Sequence, residues 1–228
     1  MKQIVIVAHG SPSDPAPQEA ALQDLAQRVG ALCPDDTVSA ATLACPGALE
    51  AAFEGLSDPL VYPFFMAEGW FTRRELPRRL AKAGLSARHM RPFGLDPHLP
   101  ALIAQTCHDA AIQAGLEPES ADLILVGHGS KVAHRSKDST YAMAETLRGS
   151  LPFWRIRVAL IEEPPFLANI AAQSLRGLCL PFFALRAGHV ENDIPEALEE
   201  AAFNGPLLPA IGEHPQVPAL IAAAIARE

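Results

Sequence analysis

The 228-residue sequence predicts an α/β protein made of two tandem domains, each a four-stranded parallel sheet with helices on both faces. Three observations predict it: a duplicated pattern, short continuous apolar runs that end in Gly-containing turns, and helical stretches between those runs. Residues 4–11, IVIVAHGS, match residues 123–130, LILVGHGS, at an offset of 128 less 9, or 119. Pro-Phe-Phe at Pro63 and at Pro181 match at an offset of 118, as do PHLPALIA from Pro97 and PQVPALIA from Pro215. Three matches in one order at nearly one offset mark a duplication. The join falls near residues 114–122, AGLEPESAD, which places the halves at 1–116 and 117–228.

The elements of each half follow in order. IVIVA and LILV are short apolar runs without polar alternation, as expected of strands buried on both faces of a parallel sheet. A helix follows at about 18–30 in the first half and 139–148 in the second. A second strand comes next, TVSAATLA or IRVALIE, then a helix, the strand bearing Pro-Phe-Phe, another helix, a short strand and a closing helix. Strand and helix alternating in this way require parallel pairing with helical crossovers. In such sheets ligands bind beyond the carboxyl ends of the strands. His128 follows the first strand of the second half, and His189 follows its third.

Composition limits the function classes. With 49% apolar residues the chain can build a sizeable core, and a formal charge of -8 with a pI near 5.5 repels nucleic acid and anionic membrane surfaces. An anion site must therefore be built from local basic residues. The four cysteines, Cys33, Cys45, Cys107 and Cys179, lack C-x-x-C spacing and read as reduced core thiols. The apolar run before His9 is too short for a signal-peptide core or a membrane span, so the expected location is the cytoplasm. A monomer or a homodimer is expected.

Two histidines arriving from different strands at one end of a sheet form the sharpest constellation. Neutral imidazole is the commonest protein ligand for divalent first-row metals, and it takes up a proton near pH 7. Either histidine alone could simply bond nearby backbone or face solvent; their equivalent placement at two strand ends is what carries the functional reading. Glu162 and Glu163 end the second strand of the same half. Strand alternation lets only one of them face the cleft, and Glu162 directly ends the apolar run. His9 keeps the turn of the first half, but the residue after the Gly of its Pro-Phe-Phe segment is Trp70, so a structural relic is as good a reading as a functional one.

Gly127 and Gly129 allow close backbone approach to a flat ligand, as Gly10 does in the first half, although plain turn chemistry explains them nearly as well. Ser130, Lys131, Arg135, Lys137 and Arg186 lie close in sequence to the two histidines. The basic ones are either partners for ligand carboxylates or members of a solvated loop. Nucleotide and serine-hydrolase readings fail, because there is no G-x-G-x-x-G after the first strand, no P-loop Lys-Ser/Thr pair and no G-x-S-x-G elbow.

A strand ending in HGS, followed in the same half by PFFALRAGHVENDIP, resembles the class II tetrapyrrole chelatases, and most closely the sirohydrochlorin chelatases of the CbiX/SirB group. The resemblance covers the whole chain, since longer members carry two such halves, and it implies two tandem chelatase-like domains of flavodoxin/Rossmann-like type. By that resemblance His128 and His189 match the metal-handling histidines, and Glu162 or Glu163 matches an acidic residue of the intervening strand. Gly129, Ser130, Lys131, Arg135, Arg186, His9 and Trp70 are the residues expected to contact the ring. Long members often place the working pair in the N-terminal half; here the pair is expected in the C-terminal half. The implied reaction is insertion of Co²⁺ or Fe²⁺ into a metal-free tetrapyrrole, with no cofactor beyond the substrate ion. The alternative reading is a carrier that binds ring or metal without catalysis.

Overall fold

The computed structural model describes residues 1–130, 137–186 and 188–228. It divides into two compact units, Met1–Asp96 with Pro215–Glu228, and Pro97–His214. The first contains β1 (Gln3–Ala8), α1 (Pro15–Leu32), β2 (Thr37–Thr42), α2 (Ala48–Phe53), β3 (Leu60–Pro63), a π-helical turn (Phe71–Glu75), α3 (Leu76–Lys82) and β4 (Arg88–His89). The second contains α4 (Leu99–Gln113), β5 (Asp122–Gly127), α5 (Asp138–Arg148), β6 (Arg155–Leu160), α6 (Leu167–Ala171), β7 (Gly177–Pro181), a π-helical turn (His189–Asp193) and α7 (Ile194–Glu200). The last helix, α8 (Val217–Ala226), belongs to the first unit. The closing helix of each sequence half therefore clusters with the other half's sheet: α8 meets α1, and α4 meets α5 and β7.

Both sheets are parallel. The first has the order β2-β1-β3-β4 and the second β6-β5-β7, so the first strand of each half is central. Central strands are covered on both faces, which is why they read as unbroken apolar runs. Ile4 to Val7 and Leu123 to Val126 are all fully buried, each side chain contributing about 2 kcal/mol by removal from water. In unit 1, α2 and α3 cover one face, with Leu49, Phe53, Leu76 and Leu80 against Val5, Val7 and Val61. In unit 2, α6 and α7 do the same, with Leu167, Ala171, Ile194 and Leu198 against Ile124 and Val126.

The helices begin slightly earlier than periodicity suggests, at Pro15 and Asp138. The first starts at a proline, whose missing N–H costs nothing in the first helical turn. A larger difference is the fourth strand of unit 2, which shrinks to a single bridge between Cys179 and Leu207. Its hydrogen bonds are Cys179 N–H to the Pro206 carbonyl and Leu208 N–H to the Cys179 carbonyl. Pro206 and Pro209 flank this bridge and have no N–H to extend the ladder. All four cysteines are free; Cys107 and Cys179 are core residues as expected, whereas Cys33 and Cys45 are only half-buried.

Two details position the strand ends. After each Pro-Phe-Phe strand, a carbonyl accepts a hydrogen bond from a glycine of a short 3₁₀ turn: Phe65 O from Gly94 N, and Phe183 O from Gly212 N, both at 2.9 Å. A Cβ on Gly212 would lie 1.9 Å from the Ala184 carbonyl oxygen, so only glycine fits. In unit 1, Glu75 is held by Arg78 (2.8 and 2.9 Å) and Arg79 (2.7 Å), and Arg79 also donates to the Leu43 carbonyl. Hydrogen bonds from Arg78 and then Arg79 depress the Glu75 carboxyl from 4.5 to about 2.

Gly212→Ala should destabilise the protein by at least about 2 kcal/mol, read as a lower urea midpoint. Gly149→Ala, at a helix end where the added carbon meets only ordinary contact at 3.5 Å, should be neutral or slightly stabilising. Because the folded-state value of Glu75 lies below its unfolded one, its contribution is complete above pH 4.5 and is lost as pH falls toward 2. Urea midpoints across that window should fall more steeply for the wild type than for Glu75→Gln; parallel curves would contradict the assignment.

Candidate active site

In unit 2, β5 lies between β6 and β7, with Val126 opposite both Ala159 and Pro181. Parallel pairing brings all three carboxyl ends to one edge, and the chain leaves that edge through His128, Ile161 and Phe182. The turn after β5 needs glycine on both sides of His128. A Cβ on Gly127 would lie 2.2 Å from the Thr140 hydroxyl, and Gly129 has φ +70 with its added carbon 2.9 Å from Glu163 Cγ.

His128 is exposed, and its Nδ1 bonds the Gly129 carbonyl at 2.8 Å. A carbonyl only accepts, so Nδ1 carries the proton and Nε2 carries the lone pair. His189 opens the π-helical turn after β7, and its Nδ1 meets Asp193 Oδ2 at 2.5 Å, one helical turn along. The carboxylate selects the same tautomer and orients the ring. The two imidazoles stand with centroids 4.6 Å apart at 87°, edge to face, with Phe183 6.4 Å from His128. The pair predicted from the sequence is thus assembled, with each Nδ1 hydrogen-bonded and each Nε2 left out of those bonds.

The glutamates divide differently from the alternation argument. β6 ends at Leu160, before either of them, so strand alternation no longer governs their direction. Glu163 is fastened under the His128 turn: Oε1 accepts the Ser130 N–H at 3.0 Å, and Oε2 meets Lys137 Nζ at 2.8 Å. That hydrogen bond raises the Lys137 pKa. Glu162 is half-buried, and its N–H donates to the His128 carbonyl at 2.9 Å. Arg186 is exposed and meets Glu191 at 3.2 Å, an ion pair in water and so a weak one. Lys131 and Arg135 lie outside the described residues. Among the described residues, no cluster of three or more His, Cys, Asp or Glu is placed to hold a metal.

Unit 1 repeats the turn and replaces the pair. His9 Nδ1 bonds the Gly10 carbonyl at 2.8 Å, as His128 does with Gly129. Its ring meets Phe71, with centroids 4.2 Å apart at 65°. Phe71 opens its π-helical turn as His189 opens the other, at an offset of 189 less 71, or 118. The counterpart of His189 is therefore Phe71, not Trp70, which precedes the turn and is 57% exposed. Counting from the glycine misplaces the register by one residue, because the uniform offset pairs Trp70 with Gly188. That offset, applied strictly, identifies Phe71 from sequence alone. Asp193 was also missed; its signal is an acid four residues after a histidine at a helix start.

Comparisons with known proteins identify the family. The CbiX family profile matches the chain twice, over residues 3–110 and 122–228. A probable sirohydrochlorin cobaltochelatase of Halobacterium salinarum is 25% identical, covering 86% of this chain and 76% of its own. A solved CbiX structure, the terminal enzyme for biosynthesis of siroheme in denitrifying bacteria, is 44% identical over 99% of both chains, with a TM-score of 0.91. SirB from Bacillus subtilis, solved with Fe³⁺, shares the fold at a TM-score of 0.78 and 19% identity, over 100% of this chain and 95% of that one. With two copies of the family pattern along its length and a histidine at two strand ends of one sheet, the chain belongs to the CbiX family and is a class II metal chelatase acting on tetrapyrroles.

Proposed function

We propose that this protein inserts Co²⁺ or Fe²⁺ into sirohydrochlorin or a near relative, as a step of cobalamin or sirohaem biosynthesis, and that His128 and His189 are the working pair. The observation that carries the assignment is their perpendicular packing at 4.6 Å with each Nδ1 already bonded. The names of the cobaltochelatase and siroheme relatives support the substrate and leave the two metals open. No further cofactor is proposed, since the ion is a substrate, and the cytoplasm remains the proposed location. Among the described residues, no helix is long and apolar enough to cross a membrane.

The reaction exchanges two ring N–H protons for one divalent ion. Two imidazoles bind such an ion weakly enough to surrender it to four ring nitrogens, which a closed four-ligand site would not do. As each Nε2 loses the ion its lone pair is restored, and it becomes the base that takes a ring proton. Asp193 stabilises the His189 imidazolium that forms, while Glu163 keeps the His128 turn in place. Glu162 adds negative charge beside the His128 backbone. Gly129, Ser130, Lys131, Arg135 and Arg186 are proposed to meet the ring substituents around this pair.

Mixing purified protein with sirohydrochlorin and each metal, and following ring absorption, should show insertion faster than the spontaneous rate. Absence of acceleration with every metal overturns the reading, and ring binding without turnover would favour a carrier. His128→Ala and His189→Ala should each lower kcat/KM by about 10² or more, and His9→Ala by far less. Loss of activity in His9→Ala with His189→Ala near wild type would move the working site to unit 1. Asp193→Asn should lower kcat roughly 10- to 100-fold. KM should change little, as expected of a residue that orients the His189 ring through Nδ1; a loss carried mainly by KM would leave Asp193 a purely structural role.

A further inference from the structure

Besides the exchange of His189 for Phe71, the two repeats differ in charge over one matched segment. Residues 68–82 carry five Arg or Lys against two Glu, a net of +3, whereas residues 186–200, at an offset of 186 less 68, or 118, carry one Arg against five Asp or Glu, a net of -4. The segment is the same in fold, a π-helical turn leading into a helix. In unit 2 the negative sign accompanies the histidine pair, and a negative surface attracts cations. In unit 1 the positive sign accompanies an aromatic cluster. Trp70 stands 5.0 Å from Phe71 at 80°, and Phe71 stacks 6.1 Å from Phe65.

The charges of this surface are only partly neutralised. Glu68 pairs with Arg73 at 2.6 Å and also senses Arg91, and Glu75 is shared by Arg78 and Arg79. Arg74 and Lys82 are exposed and have no acidic partner among the described residues. The side chains of Arg73 and Arg78 are each 63% exposed, beside a tryptophan 57% exposed. A chain of net charge -8 repels a polycarboxylate on average, so a ligand of that kind needs a local positive surface. Guanidinium groups match carboxylates in geometry, and an exposed indole offers a face for a flat conjugated ring.

We propose that the first unit carries a ring-binding surface of its own: Trp70 and the surface of Arg73, Arg74 and Arg78 bind the flat face and peripheral carboxylates of a tetrapyrrole. This rests on the reading that a carboxylate-bearing tetrapyrrole is the substrate.

The test is equilibrium binding of metal-free sirohydrochlorin, followed by ring fluorescence with no metal present. Arg74→Glu and Trp70→Ala should each weaken binding roughly tenfold, the scale of one lost charge-assisted or stacking contact. Binding by the wild type should weaken as salt rises, and Arg74→Glu should flatten that dependence. Arg88→Glu, an exposed site at the start of β4 facing Asp58 at 3.7 Å, makes the same charge change elsewhere and should bind as wild type. The proposal is overturned if the wild type does not bind the free ring, if Arg74→Glu and Trp70→Ala bind as wild type, or if Arg88→Glu weakens binding equally. Metal insertion by the wild type, measured separately, tests the proposed function, so failure of this proposal is distinguishable from failure of that reading.

Discussion

Parallel pairing of β5 between β6 and β7 is the constraint on which the site depends. Val126 is opposite Ala159 on one side and Pro181 on the other, and this register sends three chain segments out of the sheet at one edge. His128 and His189 lie 61 residues apart, from 189 less 128, yet their rings meet because their strands are neighbours. A slip of one residue would turn every side chain of the strand to the other face. The fully buried run Leu123 to Val126 resists such a slip, because it is covered on both sides.

Around that frame, polar groups supply what a sheet cannot. A strand end places a histidine; it does not choose a tautomer. The Gly129 carbonyl and the Asp193 carboxylate choose it, and both leave the proton on Nδ1. Glu163, bonded to the Ser130 amide and to Lys137, fixes the turn that carries His128. These contacts join residues close together in sequence to residues a whole βα unit away, so the site is rigid only when the sheet is formed. The Tyr62 hydroxyl, buried in unit 1 without a hydrogen-bond partner among the described residues, shows the opposite case; burial pushes its ionisation far upward.

The two units show what duplication leaves free to vary. Their turns, π-helical segments and glycine contacts repeat at an offset of 119 for the histidine turns and 118 for the rest, since each is demanded by backbone geometry. A Cβ on Gly94 would strike the Met66 carbonyl as one on Gly212 would strike that of Ala184. Side chains facing outward are under no such demand. There Phe71 stands in one unit where His189 stands in the other, and arginines face acids at matched positions. The acid that holds Lys137 in unit 2, Glu163, stands where unit 1 has Cys45, at 163 less 118.

The sequence by itself determined the α/β class, the duplication, the parallel pairing of strands and the arrival of His128 and His189 at one end of a sheet. All of these follow from apolar runs and repeat spacing, which depend only on local pattern and on the rule that parallel strands share their ends. It did not determine which glutamate supports the turn, because β6 stops before both and direction there is set by the partners Ser130 and Lys137. The pairing of Phe71 with His189 was legible in the constant offset and was obscured by aligning on a glycine. The role of Asp193 became definite only when the π-helical turn brought it to Nδ1. The exchange of α4 and α8 between compact units was decided by tertiary structure alone. Both helices are apolar stretches of the same pattern, and nothing in an amphipathic repeat says which of two similar sheets it will cover.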